Sequence, residues 1–315
     1  MPMLALVVRR LLSVIPVMAV VATLVFLMLR LTPGDPAAVI AGDSATAAEV
    51  AHIRASLGLD RPLLEQFAIW LARLAALDLG ESFYFKRSVT ALIAQRLEPT
   101  LALASFAATV AVLVAVPLGV LAAHRAGSLL DRAVMSFSVL GFSVPVFALG
   151  YLMIHVFAVE LGWFPVQGYA RIADGLPGFL HRLALPGTTL ALVYLALIAR
   201  MTRASMLEVL AEDYIRTARA KGAATRAVLW RHALRNAAVP ILTVIGIGVA
   251  LLISGAVVTE TVFGIPGLGR LTVEAVLSRD FPTIQAVILL FSAAYVLINL
   301  LIDVAYVLLD PRIRA

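Results

Sequence analysis

Apolar and polar positions alternate in this chain on the scale of whole helices, with six long apolar runs standing between polar stretches of very unequal length. The runs cover residues 11–29, 99–123, 133–159, 183–199, 239–258 and 285–309. Each is near the ~20 residues a helix needs to cross a hydrocarbon core. Backbone amides inside a bilayer must be satisfied within their own segment, so all six are predicted to be transmembrane helices. Pro117 and Pro145 fall inside two of the runs, where the missing amide donor predicts a kink. Six crossings put both termini on one side. The predicted class is all-α and polytopic.

The longest polar stretch, residues 30–98, mixes charges of both signs and reads as a small, mostly helical insert after the first span. Thr46 and Glu49 have capping-box spacing and open a short helix that Gly58 ends; Asp60-Arg61-Pro62 opens another. That second helix gathers Leu63, Leu64, Phe67, Trp70, Leu71 and Leu74 on one side, a face expected to pack on the insert or lie at the lipid interface. The chain thus divides into residues 1–29 (N-terminus and first span), 30–98 (insert) and 99–315 (a five-helix core containing a polar loop, 200–238).

Within that loop, residues 212–240 form a basic island of helix formers, with Arg216, Arg219, Lys221, Arg226, Arg231 and Arg235 against Glu212 and Asp213. Gly222 divides it into two predicted helices, 213–221 and 224–235, because glycine takes the left-handed conformation that ends a helix cheaply. Tyr214, Ala218 and Lys221 or Gly222 share a face, and the small Ala218 and Gly222 leave room for a bulky neighbour. The predicted shape is an elbow for docking.

Composition supports the membrane reading: 62% of the 315 residues are hydrophobic, 14% are charged, and the mean hydropathy is +1.00. The net charge of +6 comes from residues that interrupt apolar runs, without the basic stripe and stacking aromatics of a nucleic-acid binder. Placing the N-terminus in the cytoplasm puts Arg9, Arg10, Arg125, Arg132, Arg200, Arg203, the elbow, Arg312 and Arg314 inside, as the positive-inside rule asks. The opposite choice would translocate the whole island.

Candidate chemistry is sparse. There is no cysteine, and His52, His124, His155, His181 and His232 are scattered, so no metal site is expected. Lys86 and Lys221 are the only lysines and neither follows a glycine, which excludes a phosphate loop; any nucleotide energy must come from another chain. Gly141-Phe-Ser-Val-Pro145 approaches a nucleophile elbow, but proline replaces the final glycine. Phe142, Ser143, Pro145 and Phe147 around the kink are instead candidates for a translocation pathway. Asn299 and Asp303 share one face of the last span, as a functional pair or as a partner for a neighbouring arginine. Residues 260–270 carry three glycines and a proline in a tight loop, in which Phe263, Pro266 and Gly267 are gate candidates, as a movable lid or a rigid corner.

These motifs resemble the membrane permease subunits of bacterial ABC importers, specifically the first permease of the dipeptide/oligopeptide/nickel group, including its glutathione importer. That group carries the signature EAA-x3-G-x9-I-x-LP; aligned on Gly222, Ala218, Gly222 and Leu234 match it literally, and DYIRTARAKG…RHALRNAAVP looks like the peptide-group form. Residues 31–36 and 57–62 resemble the opening of that group's insert, and residues 263–270, 279–282 and 309–314 its ending. The resemblance implies a second, homologous permease, two ATPase subunits carrying ATP and Mg, and an extracytoplasmic solute-binding protein. It implies a non-catalytic subunit in the bacterial inner membrane. Asp213, Tyr214, Arg216, Thr217, Ala218, Lys221 and Gly222 would then contact the ATPase. The alternative is an ion-gradient-driven transporter or channel, which should show several intramembrane charges or internal repeats.

Overall fold

The computed structural model describes residues 2–31, 36–41, 45–56 and 58–309. Helices dominate them, and the single isolated bridge joins Glu81 and Ser88. Four helices are long and apolar enough to cross a membrane: Val89–His124, Leu176–Leu210, Thr225–Val262 and Phe281–Tyr306. A bent pair, Leu129–Gly141 with Val146–Glu160, makes a fifth if counted as one span. The N-terminal helix α1 (Pro2–Leu31) contains a shorter apolar stretch, Leu12–Met28.

Residues 30–98 contain the two short helices that the Thr46 capping box and the Asp60-Arg61-Pro62 turn predict. Helices α2 (Pro36–Ala41), α3 (Ala47–Ser56) and α4 (Leu63–Ala75) follow α1. The Thr46 amide donates to Glu49 Oε2 at 2.7 Å and the Glu49 amide donates to Thr46 Oγ1 at 3.3 Å, closing the expected capping box. The Thr46 amide and the Thr46 hydroxyl, the latter at 2.9 Å, both donate to the Glu49 carboxylate and hold it below its ordinary range. Gly58 sits at φ 64° and Pro62 precedes the first residue of α4. The apolar side of α4 packs on α1 through Phe67 and Trp70, whose rings lie 4.9 and 5.7 Å from Phe26, while Leu63, Leu64 and Leu71 stay exposed.

Helix ends depart from the sequence reading at four places. Helix α5 (Val89–His124) starts ten residues before 99, so Pro99 is interior and the insert is correspondingly shorter. Helix α8 (Leu176–Leu210) runs eleven residues beyond 199, because Met206, Leu207 and Leu210 keep an apolar stripe among the polar positions. At the third run, Pro145 breaks the helix outright: α6 (Leu129–Ser143) and α7 (Val146–Met153) meet at 107°, and a π-helical segment, Ile154–Glu160, follows α7. The second helix of the elbow has no independent existence. Helix α10 (Thr225–Ala227), a π-helical turn (Val228–Ala233) and α11 (Leu234–Val262) form one continuous rod.

The core lies among α5, α8 and α11. Lipid offers no hydrophobic drive for helices to associate, so close packing and interhelical hydrogen bonds must do it. Leu103, Ala107, Ala111 and Ala115, four apart on α5, form a buried stripe in one cluster with Leu183, Leu190 and Ala199 of α8. Tyr194 donates its hydroxyl to the Leu251 carbonyl at 2.7 Å, tying α8 to α11. The apolar window of α8 is 67% buried against 11% for the last long helix, which makes α8 the central post and leaves the last helix peripheral. That last helix, α13 (Phe281–Leu309), follows the short α12 (Leu268–Leu277) and bonds to both neighbours. Gln285 donates to the Val25 carbonyl at 2.9 Å and Tyr306 to Thr243 Oγ1 at 2.7 Å.

Candidate coupling site

The elbow forms at one end of the bundle, where α8 stops. Glu212 turns extended, and helix α9 (Asp213–Ala220) begins one residue later. Its C-terminus is closed by a Schellman motif: the Ala223 amide donates to the Ala218 carbonyl at 3.1 Å and the Gly222 amide to the Arg219 carbonyl at 2.9 Å. The motif requires a left-handed residue, and Gly222 supplies it at φ 81°. A side chain placed on Gly222 would meet nothing within 4 Å, so the glycine serves the turn and leaves the space above it free.

One residue anchors α9. Ile215 is fully buried and shares a cluster with Met206 of α8, Val228 and Leu229 of the π-helical turn and Ala233 and Ala237 beyond it. Tyr214, Arg216, Thr217, Lys221 and Gly222 are exposed, as is Asp213, and Ala218 is half-buried. Arg216 reaches Asp213 at 3.2 Å across the surface, an exposed pair of little energetic weight. Partial desolvation and then the neighbouring Glu212 carboxylate raise the Tyr214 phenol. The seven residues expected at a docking face are therefore brought together on one short helix and the turn that closes it.

Beside the elbow lies a clamp that the sequence reading missed. Asp131, buried at the start of α6, receives both the Nε and the Nη2 of Arg203 from α8, the latter at 2.7 Å, and the Gly127 amide at 2.9 Å. From sequence Arg203 serves only the positive-inside rule. The signal was the pair Ser128 and Asp131, a capping pattern whose acid had charge to spare.

The opposite end carries the 260–270 loop, and its geometry is that of a fixed corner. Glu260 is fully buried and its carboxylate accepts from Thr100 Oγ1 at 2.6 Å and from the Arg270 amide at 3.0 Å. Thr100 Oγ1 in turn accepts from the Leu268 amide at 2.8 Å. A side chain at Gly267 would strike that carboxylate, so glycine is needed there for close approach. Phe263 and Gly267 are buried, Pro266 is exposed, and the Phe263 carbonyl accepts from the Gly168 amide at 3.0 Å. Tyr169, next in that loop, donates to Glu98 at 3.1 Å; burial first and then the Glu98 charge push its phenol up. A second buried acid, Asp280, accepts from Ser82 Oγ and Thr283 Oγ1, both at 2.6 Å, and from the Phe83 amide at 3.0 Å, fastening the insert to α13.

The pathway candidates surround the break. Ser143 donates to the Val139 carbonyl within its own helix, Pro145 caps α7, and Phe147 is half exposed; the Phe142 side chain lies outside the described residues. Asn299 is spent on the Tyr295 carbonyl at 2.9 Å, one turn back. Residues 32–35, 57 and 310–314 of the resembling motifs lie outside the described residues. Among the described residues no group of three or more His, Cys, Asp or Glu is placed to hold a metal.

Comparison with known proteins agrees along the whole chain. Residues 115–315 match the family described as binding-protein-dependent transport system inner membrane component, and residues 3–104 match its N-terminal family. A probable peptide ABC transporter permease of Sinorhizobium fredii is 56% identical over 307 residues, covering 97% of this chain and 98% of that protein. A putative peptide transport system permease of Brucella abortus is 47% identical over 99% of both chains. The glutathione transport system permease protein GsiC of Escherichia coli is 45% identical over 99% of both. A membrane bundle with an outward-facing elbow at one end and a sequence matched from residue 3 to residue 315 thus belongs to the binding-protein-dependent transport system inner membrane components.

Proposed function

We propose that this chain is one of two homologous permease subunits of an ATP-driven importer of peptides, the first of its pair. It supplies half of the translocation pathway and no catalysis. Two ATPase subunits hold ATP and Mg, and a solute-binding protein delivers cargo to the side of the insert. In this reading α1, α5, the α6–α7 pair, α8, α11 and α13 are six spans, both termini and the elbow face the cytoplasm, and the insert lies outside. The names of the relatives support peptide cargo, with glutathione as a small peptide within the same class.

The observation that carries the reading is the elbow: α9 is exposed on one face and anchored by Ile215 on the other to the base of the rod Thr225–Val262. Closure of the ATPases presses on Asp213, Tyr214, Arg216, Thr217, Ala218, Lys221 and Gly222, and the rod carries the movement through the bundle. The break at Ser143–Pro145 and the Phe147 ring line the pathway. The corner at Phe263, Pro266 and Gly267 acts as a gate that moves with α11 as a solid piece, since Glu260 and Thr100 pin it.

Replacing Gly222 with leucine strains the Schellman turn by about 1–2 kcal/mol and fills the space above it. The expected outcome in proteoliposomes holding the assembled importer is ATP hydrolysis without uptake. Uptake at the wild-type rate by a normally assembled Gly222→Leu importer would remove the coupling role. Gradient-driven flux by this chain alone would replace the whole reading.

A further inference from the structure

A cavity of about 320 Å³ lies where the insert meets the peripheral helices, walled by α4, the end of α1 and the start of α13. Its walls are of two kinds. Trp70, Leu74 and Leu289 make an apolar floor, while Arg30, Arg73 and Gln66 carry polar groups into it. Two carboxylates also line it, Asp78 and Glu81, and Asp78 already accepts from the Gly80 amide at 3.0 Å.

Arg30 is the informative residue. It stands in the last turn of α1, half-buried, and its guanidinium bonds only to neutral oxygens: Gln66 Oε1 at 3.0 and 3.3 Å and the Phe26 carbonyl at 3.1 Å. It also lies 3.8 Å over the Phe26 ring. Among the described residues no carboxylate pairs with it. A guanidinium has five N–H groups, so two remain after these three bonds. A partly buried charge held rigidly by neutral partners is poised for an anion, because such a charge is costly unless paired. The neighbouring Arg61 is occupied by Glu65 at 2.9 Å, and Arg73 adds a second positive group on the wall.

The cavity also points to what bears the anion. It sits at the level where α1 ends and α13 begins, the boundary between bilayer and insert. Leu289 lines it, and Ala293 and Leu297, four and eight residues further along α13, are exposed apolar positions on the same face. An acidic head in the cavity would therefore continue into apolar chains lying along α13. The volume is at the small end of ligand sites, about 300–1,000 Å³, as suits a head whose tails remain outside.

We infer that this cavity binds the phosphate of an anionic phospholipid from the leaflet on the side of the insert, with Arg30 as the principal contact and Arg73 as a second. The assignment is independent of the cargo the pathway carries. The lipid would lock α4 against α1 and α13, making the seating of the insert depend on the membrane's acidic lipid.

The test is lipid binding to the full-length chain, delipidated in detergent and titrated with phosphatidylglycerol or phosphatidylcholine under native mass spectrometry. Loss of one charge-assisted contact predicts phosphatidylglycerol binding weaker by about tenfold in Arg30→Gln and about threefold in Arg73→Gln. Arg30→Lys should restore most of the affinity, and phosphatidylcholine should bind all variants alike. Arg73 makes no side-chain bond among the described residues, so its variant remains informative if Arg30→Gln fails to fold. Equal phosphatidylglycerol binding by the wild type and both glutamine variants overturns the inference. Displacement of the lipid by millimolar inorganic phosphate would make this a free-anion site, and displacement by dialanine a site for a peptide carboxylate; either result overturns the lipid assignment.

Discussion

The two ends of this bundle are built on opposite principles. At the corner end, two fully buried carboxylates, Glu260 and Asp280, are saturated by hydroxyl and amide donors from four separate segments. At the elbow end, a short polar helix hangs from one buried isoleucine and leaves its remaining face to solvent. The first arrangement resists deformation, since every donor withdrawn is left unpaired in a dry site. The second yields locally and presents a surface. In the function proposed above, the rigid end defines geometry and the grippable end receives force.

The contrast can be broken most forcefully at Glu260. In Glu260→Ala, Thr100 Oγ1 and the Arg270 amide lose their acceptor, and stability should fall by about 4 kcal/mol in equilibrium unfolding from mixed micelles. A loss below about 1 kcal/mol would mean that the corner is held by something else. Next comes the clamp beside the elbow. Asp131→Ala strands Arg203 and should cost about 3 kcal/mol, while the double variant with Arg203→Met should recover most of it, because an apolar pair replaces a broken ionic one. A double variant no more stable than the single one would place the value of the pair elsewhere.

Ile215→Ala sharpens the comparison. The cavity costs about 2 kcal/mol, but locally: hydrogen exchange should accelerate across residues 213–222 while the thermal midpoint of the bundle stays put. A fall in that midpoint as large as that of Asp131→Ala would mean that the elbow is part of the core. The smallest effect belongs to Glu49, on the exposed insert. Its carboxyl is held below the ordinary value of 4.5 by the Thr46 amide and hydroxyl. The contribution is present above the ordinary value and lost as pH falls through the lowered one. The first turn of α3 should therefore fray in acid ahead of the rest of the chain. Exchange rates at residues 46–50 that ignore pH between 5 and about 3 would rule out the carboxylate as their cap.

Much of this was legible along the chain. The capping box at Thr46, the turn at Gly222 and the long helices follow from residue chemistry within one or two turns, which a linear reading sees. Helix ends were less legible. Arg200 and Arg203 look like the start of a loop, yet α8 continues to Leu210 because polar residues near a bilayer surface do not stop a helix that still has an apolar stripe to bury. Pro99 looks like a beginning and is interior, since the helix had already started at Val89. Glu260 and Asp131 were invisible as anchors because their partners lie up to 160 residues away, and no periodicity links them.

The continuous helix from Thr225 to Val262 joins the two ends directly. Its 38 residues make a shaft about 57 Å long. A shaft of that length is a lever arm: tilting its foot by about 5° carries its tip, and the Phe263 corner fixed to it, through roughly 5 Å. The single wide turn at Val228–Ala233 lies next to the foot, so a bend there acts on most of the arm's length and is magnified at the tip.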